Sequence, residues 1–158
     1  MLKFSALMNT GFHLTYFPLT EEVRKSVRAE NWKEVDEAFK VLTSPKGRLF
    51  EFLKAYHDFS SIEFIISIRE AGTEWEEDGI WHDDGSRVFA FSLSLTENAS
   101  EIEGGRLGVK RKNEENVRLI PTPEFGGIIL FLTGLYGYEH RIHSVTKGRR
   151  VIIAGWCS

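Results

Sequence analysis

Residues 140–156 read HRIHSVTKGRRVIIAGW, and this stretch decides the fold. The β-branched run after Gly148 predicts a strand. Side chains alternate along a strand, so one face carries a charge, an aromatic ring and two small or apolar groups: Arg150, Ile152, Ala154 and Trp156. The opposite face carries Arg149, Val151 and Ile153. We therefore expect Arg150 to be a guanidinium in apolar surroundings, where it needs an anion.

The anion that Arg150 requires has two possible sources. A planar guanidinium binds a carboxylate in a bidentate pair, which an ammonium reproduces poorly. That carboxylate belongs either to one of the chain's own Asp or Glu side chains or to a bound molecule. These residues alone leave both alternatives open.

A second motif, WHDDGS at residues 81–86, places His82 and Asp84 two residues apart. On an extended segment their side chains project from the same face and can bind one ion. With 5 His and 23 acidic residues in the chain, such a pair also arises by chance, and a solvated loop is the alternative. Together with His140, the pair supplies the two imidazoles and one carboxylate of the non-haem Fe(II) facial triad. Arg150, ten residues after His140, adds the prediction of a dicarboxylate co-substrate.

Residues 82–156 resemble the catalytic core of the 2-oxoglutarate and Fe(II)-dependent oxygenases, in particular the prolyl 4-hydroxylase-like branch. The resemblance covers nearly half of the chain and follows the family's order of motifs. These motifs are HDD at 82–84, the strand at 87–95, GGRL at 104–107, GIILF at 127–131, HRI at 140–142, VTKGRR at 145–150 and GW at 155–156.

The resemblance implies a role for each matching residue. His82, Asp84 and His140 match the iron ligands, and Arg150 matches the residue that binds the distal carboxylate of 2-oxoglutarate. Many relatives have a Tyr that donates its hydroxyl to the co-substrate at the place of Ser94. A Ser reaches less far, so that contact is expected to be lost, bridged by water or supplied by another strand.

Three further residues follow from the same comparison. Trp156 is assigned to the co-substrate pocket. Trp156 and Ile142 are expected to form an apolar wall of this pocket that excludes water. Arg106 stands where relatives usually have Glu, a departure that affects local packing rather than chemistry.

His143 is the competing candidate for the third ligand, because it stands three residues after His140. On an extended segment this odd spacing sends the two rings to opposite faces. The family string, with the ligand ten residues before the Arg, selects His140. His143 is then expected to be a polar group on the opposite, partly exposed face.

The resemblance and the strand pattern predict a mainly β (α+β) fold, a double-stranded β-helix or jelly roll with N-terminal helices packed on one sheet. We expect one domain, 1–158, with a helical part at about 19–57 and a jelly-roll core at about 62–158. Short strands separated by Gly-rich turns are predicted at 62–69, 87–95, 105–110, 117–121, 127–132, about His140, and at 150–156.

The N-terminal third has helical periodicity. Thr20 followed by Glu21 and Glu22 predicts one helix start. A second helix is predicted from the apolar spacing of Trp32, Val35, Phe39 and Leu42. A third is predicted to begin at Ser44-Pro45, with Leu49, Phe52, Leu53 and Tyr56 on its apolar side. Residues 1–17 are predicted to form one or two short strands.

Composition excludes some classes of partner. The net charge of −3 gives no polyanion-binding signature, so no nucleic acid is expected. No apolar stretch approaches the ~20 residues that span a bilayer, so no membrane is expected. Cys157 is the only cysteine, which excludes an intrachain disulfide and favours a cytoplasmic, reducing setting. The sequence does not predict an oligomeric state.

The activity implied by the resemblance is a 2-oxoglutarate- and Fe(II)-dependent dioxygenase. Such an enzyme uses O2 to hydroxylate its substrate while 2-oxoglutarate is decarboxylated to succinate, with ascorbate as a further candidate requirement. Hydroxylation of prolyl residues in a protein or peptide is the leading hypothesis. The alternatives are a hydroxylase of a free amino acid or other small metabolite, and a non-catalytic cupin-like metal-binding module.

The segment 70–84, EAGTEWEEDGIWHDD, leads into the candidate iron site. Such an acidic run is typical of a solvated face. The more specific alternative is that this segment selects a basic peptide as the substrate. Its acids besides Asp84 are Glu70, Glu74, Glu76, Glu77, Asp78 and Asp83.

Overall fold

The fold is described by a computed structural model over residues 2–73 and 78–158. Within these residues there are four α-helices: α1 Leu2–Thr10, α2 Glu21–Arg28, α3 Trp32–Thr43 and α4 Arg48–Lys54. The same residues form ten strands, which are β1 Phe12–Tyr16, β2 Ile62–Glu70, β3 Phe89–Ser94, β4 Glu103–Gly104, β5 Leu107–Arg111, β6 Arg118–Ile120, β7 Gly127–Leu132, β8 Tyr138–Ile142, β9 Val145–Lys147 and β10 Arg149–Cys157.

The strands form two main antiparallel sheets. The major sheet has the order β1-β7-β3-β10-β2, and the minor sheet has the order β6-β5-β8. Strands β4 and β9 pair separately. Neighbours in space are mostly not neighbours in sequence, as in a jelly roll, and the two sheets do not close into a barrel. The predicted mainly β double-stranded β-helix is thereby confirmed.

The helices cover the outer face of the major sheet. Phe39 of α3 packs against Phe64 of β2, with ring centroids 6.1 Å apart. The Arg149 guanidinium lies 5.7 Å from the centre of the Trp32 ring. Val151 and Ile153 are buried. The alternation predicted for β10 therefore holds, and its other face is turned toward the minor sheet.

The observed start of α2 agrees with the start predicted from the sequence, whereas the observed start of α4 does not. The Thr20 hydroxyl accepts a hydrogen bond from the Val23 backbone N–H at 3.2 Å, the contact expected of an N-cap. The predicted helix start at Ser44-Pro45 is wrong, because Ser44 ends α3 by donating its hydroxyl to the Val41 carbonyl at 2.6 Å. The next helix starts three residues later, after Gly47, where a Cβ would lie 2.4 Å from backbone oxygens of α3.

The prediction of one or two short strands in residues 1–17 is correct for β1 but missed a helix. Residues Leu2–Thr10 form α1, and only β1 is extended. The helix has no clear apolar stripe, and it is held by tertiary contacts through the fully buried Leu7. It ends at Gly11, whose φ of +83° is readily adopted by glycine and whose N–H donates to the Leu7 carbonyl at 3.0 Å.

Among the described residues, no helix combines the length and the apolar character that crossing a bilayer requires.

Candidate metal and co-substrate site

Three potential metal ligands converge between the major and minor sheets. His82, Asp84 and His140 each offer a ligand atom, and these atoms all lie within 4.8 Å of one another. His140 is carried by β8. The segment of His82 is tied to that strand by two reciprocal backbone hydrogen bonds between His82 and His140, both 2.9 Å. This pairing brings the ring centroids to 4.5 Å although 58 positions separate the two residues in sequence.

Asp84 reaches the cluster through an unusual backbone conformation. Its φ is +59°, in the left-handed region that Asp tolerates better than most residues with a Cβ. The preceding Asp83 fixes the loop, because its carboxylate accepts from the Gly85 N–H at 2.9 Å and its carbonyl accepts from the Gly134 N–H at 2.8 Å. The Asp84 carboxylate then lies 3.2 Å from Nε2 of His140. A strained residue held this way is typical of a functional site.

The cluster has the electrostatic character of a cation site. Oδ2 of Asp84 and Nδ1 of His140 are buried and have no hydrogen-bond partner among the described residues. Burial lowers the pKa of His140 to about 4, although the neighbouring Asp84 opposes this shift. The imidazole is therefore neutral at pH 7, which is the form that binds metals. Two imidazoles and one carboxylate fit Fe(II) with open coordination positions.

Arg150 lies in the same interior and is only 1% exposed. Its Nε donates to the Thr122 hydroxyl at 3.1 Å, whereas its NH1 has no hydrogen-bond partner in the described part of the chain. Burial, and secondly the charge of Arg69, lower the pKa of Arg150 to about 9, so it remains a cation at neutral pH. Within the described residues no carboxylate forms an ion pair with Arg150.

Arg149 shows the contrast with its neighbour on the outer face of β10. Its Nε lies 2.9 Å from a Glu70 carboxylate oxygen, and it also pairs with Glu30. Adjacent arginines on one strand are thus distinguished by the face they occupy.

Arg69 is a component of the interior that the sequence interpretation missed. It lies directly opposite Arg150 in the β2–β10 register. Its Nε donates to Asp78 at 3.1 Å, and its NH1 donates to the Ser67 hydroxyl at 2.7 Å. Alternation within 62–69 places Arg69 and Ser67 on one face, but the sequence offers no signal that β2 pairs with β10.

These groups line one cavity of about 130 Å³. The predicted wall residues Ile142 and Trp156 both line it, together with Ser92. Ser94 is fully buried and is not among the residues that line the cavity; its hydroxyl accepts from the Thr96 N–H at 3.1 Å. His143 follows β8, is partly exposed and does not belong to the cluster.

The acidic segment 70–84 is described only in part, since Glu74, Glu76 and Glu77 lie outside the described residues. Each of the other acids besides Asp84 forms an internal ion pair: Glu70 with Arg149, Asp78 with Arg69, and Asp83 with Lys112. The Lys112 ammonium lowers the pKa of Asp83. In the described part, each of these three acids therefore has a basic partner, so they do not form an unpaired acidic surface.

Trp81 anchors the backbone just before His82. Its ring lies over Gly108 on the outer face of the minor sheet, where a Cβ on Gly108 would be 3.4 Å from the ring edge. The Arg141 guanidinium lies 4.5 Å and the Lys110 ammonium 5.0 Å from the ring centroid.

Trp81→Ala is expected to weaken Mn(II) binding by about tenfold, the scale seen when support for a metal ligand is lost, while the protein remains folded. Calorimetric titration of the apo-protein measures the affinity, and circular dichroism checks the fold. Lys110→Met removes one flanking cation but leaves the ring, so it is the control and should bind Mn(II) normally. Equal affinity in Trp81→Ala and wild type would show that the ring does not position His82.

Comparison with known proteins agrees with this geometry. The family model of the 2OG-Fe(II) oxygenase superfamily matches residues 64–158. The fold is similar to a prolyl-4-hydroxylase from Pseudomonas putida, at 17% identity and a TM-score of 0.65, covering 99% of this chain and 94% of that one. It is also similar to a prolyl hydroxylase from Trichoplax adhaerens in complex with a hypoxia inducible factor peptide fragment, at 14% identity and a TM-score of 0.59, covering 99% and 88%.

A third similar structure is the iron and alpha-ketoglutarate-dependent endoperoxidase NvfI, at 10% identity and a TM-score of 0.64, covering 99% of this chain and 81% of that one. No curated protein sequence matches the chain.

The chain belongs to the 2OG-Fe(II) oxygenase superfamily. It is therefore an enzyme of the oxygenase class, and the alternative of a non-catalytic metal-binding module is set aside. Membership implies Fe(II), 2-oxoglutarate and O2 as its cofactor and co-substrates.

Proposed function

We propose that this protein is a 2-oxoglutarate- and Fe(II)-dependent dioxygenase that hydroxylates prolyl residues in a protein or peptide. In this proposal His82, Asp84 and His140 hold the iron, and Arg150 binds the distal carboxylate of 2-oxoglutarate. The supporting observation is that a three-ligand cluster and a buried arginine with an unpartnered NH1 line the same cavity. A metal site alone needs no such arginine.

Fe(II), when bound, supplies the activation of O2 and the coupled decarboxylation of 2-oxoglutarate to succinate. The chain's own residues hold the ligand set, orient the co-substrate and exclude water. Ile142, Ile152 and Trp156 give the cavity apolar walls, which lower the local dielectric and strengthen the interaction between Arg150 and a bound carboxylate. Ser94 does not line the cavity, so it keeps at most a water-mediated role toward the co-substrate.

The cavity size favours a substrate that lies across the entrance. Pockets that enclose a drug-sized molecule usually have about 300 to 1,000 Å³. The interior here, at about 130 Å³, has room for a small co-substrate and little more. Half-exposed Ile65, together with Trp156, borders the same cavity and offers an apolar rim. A ring such as that of proline, presented on an extended peptide, fits this arrangement better than an enclosed metabolite does.

A small-metabolite substrate is the second candidate, favoured by one observation. The fold is also similar to an endoperoxidase whose name specifies iron and alpha-ketoglutarate but no prolyl substrate. Ascorbate and a cytoplasmic, reducing setting belong to the main proposal, because the iron must be kept ferrous between turnovers.

Mass spectrometry of substrate pools tests the proposal. Purified enzyme, Fe(II), ascorbate and 2-oxoglutarate are incubated under ¹⁸O₂ with a library of proline-containing peptides and, separately, with free amino acids. We expect one ¹⁸O atom on a prolyl residue and one succinate for each hydroxylation. Hydroxylation confined to free amino acids would select the second candidate.

His140→Ala is the matched negative control for these incubations, since it removes one proposed iron ligand. Reactions without 2-oxoglutarate are the other control. Product formation in either control would contradict the proposed chemistry.

A further inference from the structure

Residues 106–120, which include β5 and β6, have a charge opposite to that of the whole chain. They contain five Lys or Arg and two Glu, a net charge of +3. The chain has a net charge of −3, so its other residues carry −6. The minor sheet is therefore a basic part of an acidic protein. Such an asymmetry attracts a partner of one sign to one face.

Two arginines share the outer face of the minor sheet, the face turned away from the cavity. Ile142 lines the cavity, so alternation along β8 places Arg141 and His143 on the outer face. A Cβ on Gly108 of β5 would lie 3.5 Å from the Arg141 side chain, which agrees with this placement. Arg106 is exposed, and its carbonyl accepts from the N–H of His143 at 3.0 Å. It therefore continues the β5–β8 pairing and lies beside His143.

The charges of Arg106 and Arg141 are not neutralised on this face. Glu139, the only acid of β8, pairs with Lys110 at 2.8 Å. Among the described residues no acid forms an ion pair with either arginine, and Nε of Arg141 is buried without a hydrogen-bond partner there. Burial, and secondly the charges of Arg141 and Arg106, lower the pKa of His143, so its ring is mostly neutral at pH 7.

Apolar side chains lie beside these cations. Leu119 of β6 is directly opposite Gly108 and is 48% exposed. The Trp81 ring packs over the same glycine, with the Arg141 guanidinium near its centre. The outer face thus combines positive charge with exposed apolar surface. An acidic peptide that also carries apolar side chains is complementary to it.

We propose that the outer face of the minor sheet binds acidic residues that flank the prolyl residue of the substrate. This proposal rests on the proposed function, in which a peptide lies across the cavity entrance. Arg141 stands between His140 and Ile142, which both line the cavity, so the face and the cavity are opposite sides of one strand. An extended peptide covers about 3.3 Å per residue, and a few residues beyond the prolyl ring therefore reach this face.

An acidic peptide is favoured over two other partners. The unpaired arginines form a small patch, and the charge of −6 on the other residues repels an extended polyanion such as a nucleic acid. A basic peptide, considered above for the acidic segment 70–84, would be repelled by the outer face. The described acids of that segment besides Asp84 already have basic partners.

Binding of three synthetic peptides tests the proposal. Each peptide carries one Pro and a fluorescent label, and the three differ only in having Glu, Gln or Lys at the flanking positions. Fluorescence anisotropy measures their affinity for protein loaded with Mn(II) and 2-oxoglutarate. The wild-type protein is expected to bind the Glu peptide most tightly. Arg106→Glu replaces attraction with repulsion, so it should weaken Glu-peptide binding by about three- to tenfold and leave the Gln peptide within about twofold.

Lys33→Glu is the matched control, since it makes the same change of charge at an exposed residue of α3, on the other side of the molecule. It should change the affinity for the Glu peptide by less than about twofold. Arg141→Gln is the second variant and should weaken Glu-peptide binding by about two- to fivefold. Both losses should shrink when the ionic strength rises from about 0.15 M to about 1 M, because the Debye length falls from about 8 Å to about 3 Å.

The outcomes separate this proposal from the proposed function. No preference of wild type for the Glu peptide, or equal losses in Arg106→Glu and Lys33→Glu, would overturn the role of the outer face. A labelled single-stranded oligonucleotide that binds wild type more tightly than the Glu peptide, and is weakened by Arg106→Glu, would replace the acidic peptide with nucleic acid. The predicted peptide preference without ¹⁸O on the prolyl residue, after incubation with Fe(II), ascorbate and 2-oxoglutarate under ¹⁸O₂, would support the outer face and overturn prolyl hydroxylation.

Discussion

His82→Ala and Asp84→Ala are expected to abolish stoichiometric binding of Fe(II), or of Mn(II) as an inert mimic, to the apo-protein. The site offers three protein ligands, and removal of one leaves the other two poorly oriented. Loss of a mere hydrogen-bond partner of a ligand already costs about 10- to 100-fold in affinity, so losing a ligand should cost more than about 100-fold. Metal content after dialysis and calorimetric titration measure the effect.

Glu139→Gln is the control for this pair of variants. Glu139 is adjacent to His140 on β8, but its side chain pairs with Lys110 at 2.8 Å on the other face. It should retain one metal ion per chain. Retention of one ion per chain in the His82→Ala protein would mean that the cluster is not the metal site.

Arg150→Met is expected to remove 2-oxoglutarate binding and to stabilise the apo-protein at the same time. The guanidinium is buried and has no carboxylate partner among the described residues, so replacing it with an apolar side chain of similar length removes a desolvation cost. Comparable replacements of buried charged groups are often neutral or stabilise proteins by about 1 to 4 kcal/mol. The co-substrate loses a charge-assisted contact of about 2 kcal/mol or more, which is roughly 30-fold in affinity.

Two measurements check the Arg150 prediction. Chemical denaturation of the apo-protein gives the change in the free energy of unfolding, and calorimetry gives the affinity for 2-oxoglutarate. Arg150→Lys should bind 2-oxoglutarate with intermediate affinity, because it keeps the charge and loses the planar fork. Metal binding should persist in both variants. A larger loss of 2-oxoglutarate binding in Arg149→Lys than in Arg150→Lys would contradict the register of β10.

The sequence predicted the parts of this molecule that local patterns control. The alternation from Arg149 to Trp156 determines which arginine faces the cavity, and the structure has Arg149 among outer-face acids and Arg150 inside. The H-x-D pair and His140 were predicted from residue types and the family string, and the structure brings their ligand atoms within 4.8 Å.

Contacts between distant segments were not accessible to the same reasoning. Arg69 is notable only because β2 pairs with β10, a partnership that no local pattern specifies. Helix α1 depends on burial of Leu7 rather than on a clear apolar periodicity, so residues 2–10 were not predicted as a helix. Ser94 illustrates a third limit. Its position on the strand was predicted, but its hydrogen bond to Thr96 depends on the path of the chain after β3.

Anaerobic titration of Fe(II) and 2-oxoglutarate tests the central claim most directly, through the weak visible metal-to-ligand absorption band of their chelate. The band appears only when the iron and the co-substrate share one site, so it reports on the triad and on Arg150 together. Wild-type protein and His143→Ala should both develop the band, because the partly exposed His143 lies outside the cluster. His140→Ala should show none. A band that persists in His140→Ala and disappears in His143→Ala would contradict the account and move the third ligand to His143.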